Sequence, residues 1–208
     1  MEARVGRINH ETTRIECDGI SVGGRFLPPF QLEAGGAICL HVEHCPIPWY
    51  EGLLQALKGE TVHSGLRVLG SAAYLARPMP RRRWFGRWND SSAQQWLISE
   101  GGLSEFQASS VLKLVGVPPE LRIGWMGWNE RTLLALEACF LKPPSVVIID
   151  TAGNDPSGVE LILNRTATRP VELALIYVKT ILRESEPCLP GGRCLEVAVN
   201  PPVTVAVE

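Results

Sequence analysis

The tightest constraint on the fold is one run of residues, Ser145-Val146-Val147-Ile148-Ile149-Asp150-Thr151-Ala152-Gly153-Asn154-Asp155-Pro156. Four apolar β-branched residues end in an aspartate, and a turn follows at once. An unbroken run of this kind suits a strand buried on both faces, as in a parallel sheet covered by helices. The carboxyl edge of such a sheet is where α/β proteins place their ligands. Asp150 is therefore predicted to present a carboxylate at a potential binding edge.

The rest of the chain alternates strand and helix patterns, which places it in the α/β class. Residues 13 to 32 read as short strands broken by Gly23-Gly24 and Pro28-Pro29, an antiparallel piece by their turn chemistry. A strong strand is predicted over Ala37–Glu43, a helix over Glu51–Leu57 and a short strand over Leu66–Leu69. Residues 77 to 91 read as loop. Helical patterns follow at Gln94–Ser99 and Leu103–Leu114. Asn129 is placed to cap a helix running to Phe140. A helix near Val159–Leu163, a strand over Leu173–Val178 and two short strands over Cys194–Val199 and Val203–Val207 complete the reading. There is no internal repeat and no low-complexity tract.

At 208 residues the chain suits one or at most two domains. A net charge of −2 favours neither nucleic acid nor an anionic membrane surface. No apolar run approaches membrane-spanning length, and Met1 to Arg7 lack the apolar centre of a signal peptide. The expectation is a cytoplasmic protein, with its six cysteines as free thiols.

The order of these landmarks resembles the ATP-binding-cassette (ABC) ATPases across nearly the whole chain. The Asp150 strand and its Thr-x-Gly-x-Asp-Pro turn resemble that family's Walker B strand and D-loop, four apolar residues followed by DEPTSGLDP. The Glu-Pro pair is missing, and in the family that Glu polarises the attacking water. The resemblance implies a P-loop-type α/β domain spanning 1–208. It would have a mostly parallel sheet, an N-terminal antiparallel β-subdomain and a short helical subdomain at about 89–127.

Motif by motif, the working groups are replaced. His44-Cys45-Pro46-Ile47-Pro48-Trp49-Tyr50-Glu51-Gly52 stands where the family has its Gly-rich phosphate loop. Such a loop needs backbone N–H groups aimed at phosphate, and two prolines remove two of them. Tyr50 occupies the phosphate-binding Lys position and Glu51 the Mg²⁺-binding hydroxyl position, where a carboxylate repels a triphosphate. A rigid, proline-braced connection is the better reading of this stretch. Val22 stands at the adenine-stacking position, Arg77 at the Q-loop glutamine and Lys179, to within a residue, at the switch histidine. Gly127, Trp128 and Asn129 replace the Ser and two Gly of the LSGGQ signature. Gly153 and Asp155 are the D-loop-like residues expected at a dimer interface.

The resemblance thus implies a pseudo-ATPase with no catalytic residues, no metal ligands and no cofactor. It would pair with an active ABC ATPase homologue, dock an integral membrane permease, or both, sitting at the inner face of the membrane through that partner. Direct membrane insertion and nucleic-acid binding are not expected. Arg81, Arg82, Arg83, Trp84, Phe85 and Trp88 form a basic, aromatic segment with interface chemistry. It lies where the family receives its permease, although a solvated loop or a single-strand nucleic-acid contact would use the same residues.

Two other functions fit parts of the sequence. One is a working transporter subunit with aberrant motifs, which would bind ATP and Mg²⁺. The other is a thiol-dependent enzyme using Cys45 or Cys188 and Cys194. The histidines His10, His41, His44 and His63 show no ligand spacing, and Cys188 and Cys194 lack the spacing of a zinc knuckle.

Overall fold

The computed structural model describes residues 13–43, 47–82, 88–181 and 192–197. The described residues begin with antiparallel structure: β1 (Thr13–Cys17), β2 (Ile20–Val22), β3 (Arg25–Leu27) and β4 (Phe30–Glu33). β2 and β3 form a hairpin closed by Gly23-Gly24, with φ of 54° and 81°. Two positive φ values in a two-residue turn match the twist of the flanking strands, and glycine adopts them without steric cost.

Next come β5 (Ala37–Glu43), α1 (Ile47–Leu57), β6 (Leu66–Val68) and β7 (Ala72–Tyr74). The short pair β8 (Arg81–Arg82) and β9 (Trp88–Asn89) precedes α2 (Ala93–Ser99) and α3 (Glu105–Val115). A single 3₁₀ turn at Ile123–Trp125 leads into α4 (Trp128–Leu141). β10 (Val146–Asp150), α5 (Pro156–Thr166), β11 (Ala174–Ile181) and β12 (Arg193–Val197) follow.

β12, β5, β11, β10 and β7 form one five-stranded sheet in that order, with every neighbouring pair parallel. A second sheet, β4-β1-β6, is antiparallel. All five residues of β10 are buried, as its composition requires of a strand covered on both faces. Alternation along the strands separates two cores. Cys39, Val147, Ile149, Leu175 and Tyr177 pack toward α2–α5, with Leu97, Leu112, Leu134 and Ile162 among their neighbours. Ile38, Leu40, Val146, Ile148 and Ile176 pack toward α1 and the antiparallel strands, against Leu53, Ala56, Ile15 and Leu32.

Local chemistry sets the helix starts. Ser92 and Ser104 cap α2 and α3, each paired with a Gln three residues on. Asp155 caps α5, with Pro156 in the first turn. Asn129 does not cap α4. Gly127 holds that position, its N–H donating to the Glu130 carboxylate at 2.9 Å, and Asn129 lies inside the helix with its amide engaged elsewhere. α1 begins at Ile47, inside the stretch expected to be a connection. Proline is tolerated in the first turn, where its missing N–H has no intrahelical partner to lose, so Pro48 does not delay the helix.

Candidate functional site

β10 delivers Asp150 to the carboxyl edge of the sheet, and four donors from the same chain converge on it. The Tyr50 hydroxyl, from the first turns of α1, donates to Oδ2 at 2.5 Å. The Tyr74 hydroxyl, from the end of β7, donates to the same oxygen. Arg77, just beyond β7, donates from one terminal nitrogen to Oδ1 and to the Asp150 carbonyl at 2.9 Å, and from the other to the Ala152 carbonyl. The Ala152 N–H donates to Oδ1 at 3.0 Å.

A carboxylate offers about four acceptor sites. Two phenols, a guanidinium and an amide occupy that number. The Asp150 side chain is 5% exposed and that of Arg77 11%, so solvent competes little for either. Burial, reinforced by the Asp150 charge, drives the Tyr50 and Tyr74 hydroxyls well above the ordinary phenol range, so both remain protonated donors. A metal ion or phosphate brought to Asp150 would have to displace these groups.

Arg77 also links this cluster to the start of α4. Its guanidinium carbon lies 5.6 Å from the centre of the Trp128 ring, and that of Arg131 lies 5.3 Å from it. The buried Arg131 donates to the carbonyls of Met126 at 3.0 Å and Gly124 at 3.2 Å, fixing the turn that leads into α4. Trp128 covers Gly153, whose Cβ position lies 3.6 Å from the indole.

The α4 start and the D-loop-like turn are joined by side-chain amides. Asn129 donates to Asp155 at 2.7 Å, and Asn154 donates to the Asn129 carbonyl oxygen at 2.8 Å. Asp155 also accepts from Ser157 Oγ at 2.6 Å and from the Gly158 N–H at 2.8 Å, and these donors hold its carboxyl down to about 2. Gly127, Trp128, Asn129, Glu130, Gly153 and Asp155 line a surface depression of about 410 Å³.

The structure brings together Tyr50, Arg77 and Asp150, and sets Trp128, Gly153 and Asp155 beside them. Glu51 points to solvent. Val22 is buried in the core, and Gly52 lies against it, with a Cβ there 3.6 Å from a Val22 methyl. Lys179 falls on the opposite face from Asp150. Asp150 pairs with Val178 and shares its face, so the next residue of β11 turns to the other side. There Lys179 is buried and pairs in register with His41.

Arg83, Trp84 and Phe85 of the predicted docking segment lie outside the described residues, as do Cys45 and Cys188. Arg81, Arg82 and Trp88 are placed by backbone only, in the β8–β9 pair. Sequence reasoning did not connect Tyr74 with Asp150. The meeting depends on β7 pairing in parallel beside β10, which Ala72-Ala73-Tyr74 does not announce in the sequence.

No family model matches the sequence, and no curated protein matches it. Solved structures do. One is cbiO1 from Clostridium perfringens, part of the ABC transporter complex cbiONQ. It matches at 14% identity over 90% of this chain and 86% of that one, with a TM-score of 0.63. An inward-facing conformation of an ABC transporter matches at 11% identity, over 90% of this chain and 79% of that one, with a TM-score of 0.60. An ATP-binding cassette of an ABC transporter in its ADP conformation matches at 13% identity, over 83% and 82%, with a TM-score of 0.56. The chain has the fold of an ABC transporter ATPase domain. No helix among its described residues is long and apolar enough to cross a membrane.

Proposed function

We propose that the chain is a non-catalytic subunit with an ABC ATPase fold, acting in a transporter-like complex through contacts with an active ABC ATPase homologue, an integral membrane permease, or both. The observation that carries this reading is the saturated Asp150 carboxylate. Phosphoryl transfer depends on positioning and on electrostatic stabilisation by metal and cationic groups. Here the carboxylate of the Walker B-like strand is occupied by Tyr50, Tyr74, Arg77 and a backbone amide, and Tyr50 stands where the resemblance places the phosphate-binding Lys.

The surface supports a role in assembly. Trp128, 44% exposed, lines the depression with Gly153 and Asp155, and Trp125 in the turn before α4 is 81% exposed. Large rings left in water next to a recess suit a protein partner. The solved structures of this fold named above come from ABC transporters. On this reading the protein works on the cytoplasmic side, held at the membrane by its partner, and needs neither ATP nor Mg²⁺.

Steady-state phosphate release by the purified chain with MgATP tests the catalytic half. The expected rate equals that of buffer. Release well above buffer that disappears in Asp150→Ala would establish the alternative, a working ATPase. For the docking half, Trp84→Ala with Phe85→Ala should leave the fold intact and abolish co-purification with the native partner.

A further inference from the structure

The β5–β12 register gathers three metal-binding side chains that are far apart in sequence. Cys39 and His41 alternate along β5 and so share one face. In the parallel ladder Cys194 pairs with Cys39, and Glu196 pairs with His41. The intervening Leu40 and Leu195 point to the other face, into the core beneath α1. The two cysteine sulfurs and one imidazole nitrogen all lie within 4.8 Å of one another.

We propose that Cys39, His41 and Cys194 form a Zn²⁺ site at the β12 edge of the parallel sheet, with water completing a tetrahedron. This goes beyond the proposed function and requires neither nucleotide nor partner.

Tetrahedral zinc holds thiolate sulfur at about 2.3 Å and imidazole nitrogen at about 2.0–2.1 Å, which sets neighbouring donors about 3.5–3.8 Å apart. Side-chain rotation at His41 and at the exposed Cys194 closes the remaining distance, while the buried Cys39 forms the fixed floor. Two thiolates and an imidazole are the donors that borderline Zn²⁺ prefers over Mg²⁺ or Ca²⁺. On binding, the two thiols lose their protons to solvent and the hydrated ion releases all but one of its waters, as two Zn–S bonds and one Zn–N bond form. The Zn²⁺ and two thiolates then sum to zero charge, so Lys179 on one side of His41 and Glu196 on the other face a neutral centre.

Co²⁺ titration of the full chain, reduced and stripped of metal, tests the site. One equivalent should bind, giving the thiolate-to-cobalt charge-transfer band and the intense visible bands of tetrahedral cobalt, and Zn²⁺ should bleach both. Cys194→Ser should keep the wild-type circular dichroism and weaken Co²⁺ binding at least tenfold. The double change Cys45→Ser with Cys188→Ser should leave binding unchanged. If Cys194→Ser does not fold, His41→Gln takes its place with the same expected loss. The proposal is overturned if the folded, reduced chain gives no thiolate–cobalt band. It is equally overturned if folded Cys194→Ser or His41→Gln binds like the wild type, or if the band depends on Cys45 or Cys188 instead.

Discussion

The Arg77 guanidinium and the Asp150 carboxylate form a buried ion pair at the carboxyl edge of the parallel sheet, with Arg77 also bonded to the Asp150 main-chain oxygen. The pair closes onto itself the group that a nucleotide site would turn toward a metal ion. Tyr50 and Tyr74 complete the closure from two other elements, α1 and β7. The cluster therefore ties α1 and the end of β7 to β10, and its loss should be felt first as lost stability.

Tyr50→Phe and Tyr74→Phe each remove one hydrogen bond to a buried carboxylate. Bonds to charged groups contribute about 1.5–3 kcal/mol. Each variant should lose stability of that order, measured as a lower urea midpoint with unchanged slope. Because both hydroxyls serve one oxygen, the double variant should depart from the sum of the singles. Strict additivity would show that the two phenols do not act on a shared acceptor.

Alkaline stability should depend on the same hydroxyls. Both phenol pKa values are raised in the folded state. The unfolded chain therefore releases these protons first, near the ordinary tyrosine value of about 10. The stabilisation is full below that pH and declines as pH rises above it. Wild-type stability should fall more steeply above about pH 10 than that of Tyr50→Phe. Equal slopes in denaturation curves across that range would contradict the assignment.

Asn129 and Gly158 are fitted to each other. A Cβ on Gly158 would stand 2.0 Å from the Asn129 amide oxygen, while that amide is held by Asp155 and Asn154. Gly158→Ala should displace Asn129 and destabilise the chain by about 1–3 kcal/mol, the usual range for overpacking. Adding Asn129→Ala should then cost less than it does in the wild type, because the amide has already lost its seat. Independent effects in a double-mutant cycle on thermal unfolding would refute this coupling.

Much of the frame was legible from sequence, for physical reasons that also explain what was missed. β5 was read to its exact ends because alternation and the preceding glycines mark them. β10 was read because four β-branched residues in a row, ended by an aspartate and a Gly-containing turn, favour a short buried strand. β7 escaped, since Ala72-Ala73-Tyr74 has neither length nor β-branching to announce a strand that only its partner β10 creates. The start of α1 was hidden by Pro48, which a first helical turn accommodates. The identity of the groups at the site could be read position by position, but not their meeting. That Tyr74 and Arg77 fold back onto Asp150, or that Cys194 lands beside Cys39, depends on strand order and register. Helix patterning alone also left Asn129 as a cap, when its amide serves Asp155 across the turn.

The central claim is that the chain's own side chains fill the place where nucleotide phosphate and metal would bind. Thermal unfolding of the purified chain across a MgATP series up to physiological concentration tests it most directly, because any ligand bound only by the folded state raises the unfolding temperature along a saturation curve. The account predicts an unfolding temperature independent of MgATP for the wild type. A saturable rise that is lost in Asp150→Ala would contradict it.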